Sequence, residues 1–422
     1  WAGALTQRGQ SLAVVVFVLM GAVAVAAVWT RPGATGYDVV PVVAGTVTWI
    51  VVLPILVDQV TKQHREHEPE EARRRFLITA GAVAVAAVGL GAAGQVAGAS
   101  RRGVDTARRL LRLPVRRGAV ADGAEVGVEG VAPWRTPNAV FYRIDTSLVV
   151  PTVDPMEWRL RVHGLVEREL VLSYEDLLAR ELTEDWVTLC CVSNEVGGDL
   201  IGNAWWSGVR VADVLAEAGV RPEANAVLQT SDDGWTCGTP VEVLTDDRNA
   251  LLAIAMNGEP LPVEHGFPVR MVVPGLYGYV SATKWLVDLE VSRFDDFTAY
   301  WTSRGWAAEG PVKTQSRIDV PGDGDDVSAG SLRIGGSAWA QHTGVERVEY
   351  RLDGGAWAEA ELGRVPNVDT WAQWSATVEV DPGDHTLAVR ATDRSGYTQT
   401  GVRTDVVPNG ATGWHTVEFE AG

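Results

Sequence analysis

The chain has 422 residues, room for two or three domains of about 100–200 residues each, and its 46% hydrophobic and 21% charged content excludes global disorder. Charge is uneven: 14 of the 36 basic residues lie in 1–117 against 7 of the 54 acidic ones, which leaves 118–422 with a net charge of about −25. Such a surface argues against nucleic acid as a partner and demands a local basic pocket for any anionic ligand. Three cysteines exclude a disulfide framework, and no CxxC or Cys/His spacing suggests structural zinc.

Three apolar runs come first, at 11–29, 39–57 and 76–98. The first two carry no charge and are long enough to cross a bilayer as helices, joined by the short turn-rich loop TRPGATGYD. The third is richer in Ala and Gly and follows ARRRFLITAG, in which Arg74 and Arg75 resemble a twin-arginine export signal placed internally. The expectation is a membrane region over 1–99 with about three transmembrane helices, the remainder on the extracytoplasmic side of the cell membrane. Seven arginines between 101 and 117 pull the other way by the positive-inside rule; the double span followed by an arginine-led span favours the outside.

Residues 100–135 are rich in Arg, Gly and Val and read as a linker. From 136 to 311 short apolar runs such as WRLRVHGLV, AVLQTSDDGWT and TKWLVDLEV mix strands with two short helices, near Tyr174–Arg180 and Val211–Ala218, which suggests α+β. Over 312–422 the pattern is all-β. VERVEYRLDGGAW alternates at Val348, Tyr350 and Leu352 and turns at Asp353-Gly354-Gly355, and about seven such strands predict an Ig-like β-sandwich without the disulfide.

The adjacent pair Cys190-Cys191 sits in TLCCVSNEVGG, followed by WWSGVRVADVL, HGFPVRMVVPGLYGY and TKWLVDLEV. In this order and spacing, the motifs resemble the molybdopterin-dependent sulfite oxidase family, which includes sulfite oxidases, plant-type nitrate reductases and the bacterial periplasmic methionine-sulfoxide reductase subunit. The resemblance runs from about Phe141 to the C-terminus. It implies a molybdenum–molybdopterin cofactor, a mixed α/β cofactor domain at 136–311, and a C-terminal sandwich through which a homodimer can form.

Position by position, the family pattern T-L-x-C-x-x-N places the metal-ligand cysteine at Cys191 and its asparagine at Asn194. A soft thiolate suits molybdenum already held by dithiolene sulfurs. Cys190 points elsewhere if the segment enters as a strand, because neighbours alternate faces. The resemblance further implies cofactor contacts from His265 and Arg270 in H-G-F-P-V-R, from Ser281, Thr283 and Lys284 in S-A-T-K-W-L through backbone amides and the lysine, and from Thr230 or Ser231. One residue more than the family spacing separates Ser281 from Lys284. Upstream, Tyr142, Arg143, Asp145 and Thr146 fall where the first cofactor-contacting segment begins, and Tyr142 matches a tyrosine near the metal in the methionine-sulfoxide reductase group.

Sulfite oxidases carry arginines just after the cysteine motif and an R-N-H triplet upstream; here Glu195-Val196 and Asp145-Thr146-Ser147 stand there. An oxyanion beside those carboxylates lacks a compensating cation. The expectation is therefore a two-electron oxygen-atom-transfer reaction on a small substrate, with S-oxide or N-oxide reduction ahead of sulfite oxidation. No CxxCH, flavin or GxGxxG motif is visible, so electrons pass through a separate partner, cytochrome or quinone-linked. A non-catalytic, membrane-anchored scaffold with a decayed site is the rival reading from a different class.

Overall fold

The computed structural model describes residues 10–29, 42–43, 45–46, 50 and 103–422 apart from 148. Contacts divide the chain into two units, Trp1–Ser100 and Arg101–Gly422. In the first, helix α1 (Gln10–Trp29) carries no charge along its 20 residues. Gly21 lets the helical segment around Thr46 approach closely, since a Cβ there would lie 2.7 Å from the Thr46 side chain. Side chains of α1 are described from 16 to 26, and no described helix is long and apolar enough to cross a membrane. Most of the second expected span, all of the third and the Arg74-Arg75 pair lie outside the described residues.

The second unit is built on four sheets. One has the order β2 (Leu170–Ser173), β1 (Arg159–Gly164), β10 (Leu286–Ser292), β5 (Ala226–Ser231) and β6 (Thr236–Pro240), with β1 parallel to β10 and the other pairs antiparallel. Another has the order β3 (Thr183–Cys190), β4 (Ile201–Arg210), β7 (Leu251–Met256) and β8 (Glu259–Pro260), with β9 (Arg270–Val272) also paired to β7. All six residues of β7 are buried, as its unbroken apolar run LLAIAM requires. Short helices α2 (Tyr174–Leu178), α3 (Val211–Ala218) and α4 (Val241–Thr245) cover the sheets. On α3, Val211, Val214, Leu215 and Ala218 form the buried stripe, and Gly219 ends the helix in the left-handed conformation at φ 73°.

The C-terminal part is a β-sandwich. One sheet runs β11 (Gln315–Val320), β13 (Gly330–Trp339), β17 (Ala372–Val380) and β16 (Glu361–Leu362); the other runs β12 (Asp326–Val327), β19 (His415–Ala421), β18 (Gly383–Asp393), β14 (Val345–Leu352) and β15 (Ala358–Glu359). Ile334, Val348, Trp374, Leu387, Val389 and Val417 fill the space between them. Three of these strands have only two residues and escape a reading based on alternation.

The stretch expected as a linker is instead built into this unit. Residues 103–110 are helical, Val104 is buried, and Arg108 donates from Nε to the Leu261 carbonyl at 2.7 Å. Trp134, fully buried, and Trp371 of the sandwich exchange indole hydrogen bonds: Trp134 Nε1 to the Trp371 carbonyl at 3.1 Å and Trp371 Nε1 to the Trp134 carbonyl at 2.8 Å. Arg/Gly-rich composition suggested a free tether, but a few apolar side chains suffice to bind the strap down. Replacing Trp134 by Ala is expected to cost about 3–5 kcal/mol, read as a lowered urea midpoint. A change under about 1 kcal/mol would contradict this role for the strap.

Candidate active site

The two cysteines part company where β3 ends. Its register with β4 runs to Cys190↔Ile201, and one further backbone bond, Cys191 N to Leu200 O at 2.9 Å, carries the extended path a residue beyond the strand. Alternation then sends Cys190 into the core at 1% exposure and leaves Cys191 on the wall of a cleft. The outer edge of β3 is covered by the sandwich, with Thr188 N donating to the Asp369 carbonyl at 2.9 Å. Asn194 folds the chain after Cys191 into a loop: its N–H donates to the Cys191 carbonyl at 3.0 Å and its Oδ1 accepts from Leu200 N at 2.8 Å.

The cleft encloses about 900 Å³, part of it open to solvent. Of the residues expected there, Tyr142, Asp145, Thr146, Cys191, Ser231, His265, Arg270 and Lys284 line it. Five do not. Thr230 precedes Ser231 on β5, and alternation sends it to the other face. Ser281 and Thr283 turn inward, Ser281 Oγ donating to the Tyr277 carbonyl at 2.9 Å and Thr283 Oγ1 lying 3.3 Å from Cys237 Sγ, while Ala282 between them faces the cleft. Arg143 is spent on Asp145, and Asn194 holds the loop.

Electrostatics divides the lining in two. Burial would raise the Asp145 carboxyl, but hydrogen bonds from Arg143 and Lys284, both at 2.8 Å, outweigh it and hold the group ionised. Lys284 is thereby neutralised; burial, only partly offset by Asp145, brings its ammonium down to about 8. Arg270 is different. It is 5% exposed and donates only to the carbonyls of His265, Met271 and Ala282 at 3.3–3.5 Å, with no carboxylate partner among the described residues. His265 donates from Nε2 to the Asn138 carbonyl at 3.1 Å, and burial followed by the Arg270 charge lowers it to about 4, so it is neutral. Burial pushes the Cys191 thiol up, against hydrogen bonds from Ser193; a bound metal cation reverses that balance.

These residues fit a donor-hungry anionic group with a soft metal. Ser231 Oγ is buried in the wall with no hydrogen-bond partner, Arg270 is a buried cation without an acid among the described residues, and Cys191 offers a soft sulfur in the same cleft. Elsewhere among the described residues, Asp246, Asp247 and His342 bring ligand atoms within 4.8 Å of one another, but Arg248 already bonds both Asp246 oxygens.

A family model described as "Oxidoreductase molybdopterin binding domain" matches residues 147–301. The Bacillus subtilis protein named "Uncharacterized oxidoreductase YuiH" is 38% identical over 180 residues, 43% of this chain and 87% of that protein. The chain belongs to the molybdopterin-dependent oxidoreductases of the sulfite oxidase family. Its cofactor is the molybdenum cofactor; Cys191, Ser231, His265 and Arg270 line the cleft. Human mitochondrial sulfite oxidase is 33% identical over 301 residues, 60% of this chain and 55% of that protein, so the chain spans about half the length of this curated relative. Among solved structures, the sulfane dehydrogenase SoxCD of Paracoccus pantotrophus superposes with a TM-score of 0.60 at 27% identity, over 69% of this chain and 81% of that one.

Sequence reasoning missed the aromatic walls. Tyr279, Trp235, Trp301 and Trp306 line the same cleft as Cys191. Tyr279 is pinned by its hydroxyl to the Ala307 carbonyl at 2.8 Å, and its ring lies 5.8 Å from that of Trp306. The readable signal was YWTSRGW, two tryptophans five apart in a segment with no apolar periodicity to place them in a core.

Folded His265 takes a proton only near pH 4, whereas in the unfolded chain it does so near pH 6.5. Between those values the unfolded state holds the extra proton, so stability falls as pH falls, by on the order of 3 kcal/mol at the lower end. Thermal unfolding of cofactor-free protein is expected to show this loss between pH 6.5 and 4, and His265→Gln to flatten it. An unchanged slope in the variant would contradict the neutral, buried imidazole.

Proposed function

We propose that the protein is a membrane-anchored oxidoreductase that removes an oxygen atom from a small neutral S-oxide or N-oxide. When bound, the cofactor supplies two-electron oxygen-atom transfer. The carrying observation is the Cys191 thiol in the wall of a cleft whose described cations are Lys284, paired with Asp145, and Arg270. Arg143 and Lys284 bond Asp145, and on this reading Arg270 and Ser231, whose Oγ has no hydrogen-bond partner, are taken up by the cofactor's phosphate. A sulfite anion would meet Asp145 and Asp233 with no cation to spare. A dipolar S=O or N–O group needs only a hydrogen-bond donor, and Tyr142 offers one: burial, then the neighbouring Cys191, raises its phenol well above the ordinary value and keeps it protonated. The aromatic walls accept the substrate's apolar body and exclude water. Two electrons and two protons turn the released oxygen into water.

Sulfite oxidation is the second reading. It is favoured by the sulfite oxidases among the relatives and by Arg270 itself, the one buried cation of the cleft without an acid among the described residues.

The electrons arrive from a separate cytochrome or quinone-linked partner. Anchoring by the N-terminal apolar runs, an extracytoplasmic catalytic unit and homodimerisation through an Ig-like sandwich complete the proposal. Two of the arginines that argued for the cytoplasm have structural work instead: Arg108 bonds Leu261 and Arg116 pairs with Glu184 at 2.8 Å.

Full-length protein loaded with cofactor is expected to oxidise a reduced viologen dye when given dimethyl sulfoxide or trimethylamine N-oxide, and to leave sulfite untouched. Sulfite turnover without S-oxide or N-oxide turnover would replace this proposal by the second reading. Cys191→Ser abolishes turnover; Cys190→Ser costs about 1–3 kcal/mol of stability through an unmatched core hydroxyl but keeps activity.

A further inference from the structure

The loop that carries Cys191 is anchored at both ends, and by different parts of the molecule. Its beginning is tied to its own sheet through Cys191 N to Leu200 O and through Asn194. Its far turn, Gly197-Gly198, sits against the sandwich. Gly197 has φ 82°, and a Cβ there would collide with the ring of His415 on β19. The Gly198 carbonyl accepts from Arg317 Nη1, on β11, at 2.9 Å. A Cβ on Gly198 would come within 2.7 Å of Asn194 Oδ1, so the turn cannot be shifted without disturbing the asparagine that shapes the loop.

Both sandwich residues are themselves fixed. The Arg317 side chain is 9% exposed and its Nε donates to Asp319 Oδ1 at 2.6 Å, while Asp319 Oδ2 also accepts from Ala132 N at 3.2 Å. Trp374 Nε1 donates to the Arg317 carbonyl at 3.1 Å. His415 Nδ1 accepts from the Ile318 N–H at 3.0 Å, which fixes the ring's tautomer and its face toward Gly197. A buried guanidinium with one carboxylate partner thus spends its other arm on a backbone carbonyl of the cysteine loop. Neither residue lines the cleft.

We infer that Arg317 and His415 form a socket through which the sandwich holds the Cys191 loop in the position the metal site needs. They are positioning residues for oxygen transfer, and the sandwich is part of the active site's support. This rests on the reading of Cys191 as metal ligand.

The test uses full-length holoprotein and reads bound molybdenum per chain, the visible metal–thiolate absorption band and the melting temperature. Arg317→Ala is expected to displace the band and to lower molybdenum retention about tenfold, the size of effect seen when a supporting partner of a metal ligand is removed. Gly197→Ala, which pushes against His415, should displace the band the same way, and Arg317→Lys, able to keep one of the two contacts, should fall between. Arg390→Ala breaks the bond to Glu349 at 3.0 Å on the same sandwich and serves as the control for general loosening; it should lower the melting temperature with the band in place. An unshifted band and full molybdenum in both Arg317→Ala and Gly197→Ala overturns the socket. So does a shift in Arg390→Ala equal to that in Arg317→Ala. Where Arg317→Ala does not fold, Gly197→Ala and Arg317→Lys decide alone. Cys191→Ser separates the layers: if the band disappears there while surviving unshifted in the loop variants, the socket fails alone; if it survives in Cys191→Ser, the reading of the cleft fails and the socket with it.

Discussion

Two identical side chains one residue apart are given opposite environments by the pleat of a strand. Cys190 is the last paired residue of β3 and packs among core side chains; Cys191 continues the extended path by one backbone bond and faces the cleft. A slip of one residue between β3 and β4 would exchange them and put the reactive sulfur in the core. The register is therefore held from several sides: by eight paired positions with β4, by the sandwich along the outer edge, and by Asn194 where the chain turns away.

The cleft solves an electrostatic problem set by the rest of the surface. A body with a net charge of about −25 beyond residue 117 does not attract an anionic cofactor, so the attraction has to be local and buried. In the proposed reading Arg270 supplies it: its hydrogen bonds go to carbonyls, its guanidinium lies 5.1 Å from the centre of the Trp206 ring, and no carboxylate pairs with it among the described residues. Lys284 lies close by, but Asp145 cancels it and turns the pair, with Arg143, into a rigid wall element. The neutral His265 adds a polar contact without adding a second positive charge beside Arg270.

Much of this was legible in the sequence wherever spacing and physics spoke together. Strand alternation foretold that Cys190 and Cys191 face different ways, and the short helix expected near Val211–Ala218 is α3. The cleft residues at 142, 145, 146, 231, 265, 270 and 284 were found through the family resemblance, in motifs the fold brings to one cleft. Ser281 and Thr283 were expected to contribute through backbone amides; their side chains turn away from the cleft, because in an irregular segment a polar side chain can satisfy a backbone carbonyl, as Ser281 does. The strap at 103–135 was misread because composition does not register a single tryptophan exchanging indole bonds with another 237 positions away. The aromatic walls and the Arg317–His415 contact are long-range and carry no local periodicity, so only the folded chain displays them.

The central claim is that one sulfur, that of Cys191, bonds molybdenum. X-ray absorption at the molybdenum edge counts sulfur neighbours directly. The account predicts that Cys191→Ser protein, loaded with cofactor, loses a sulfur from the first coordination sphere while Cys190→Ser keeps the wild-type count. An unchanged count in Cys191→Ser, or the same loss in both, would contradict it.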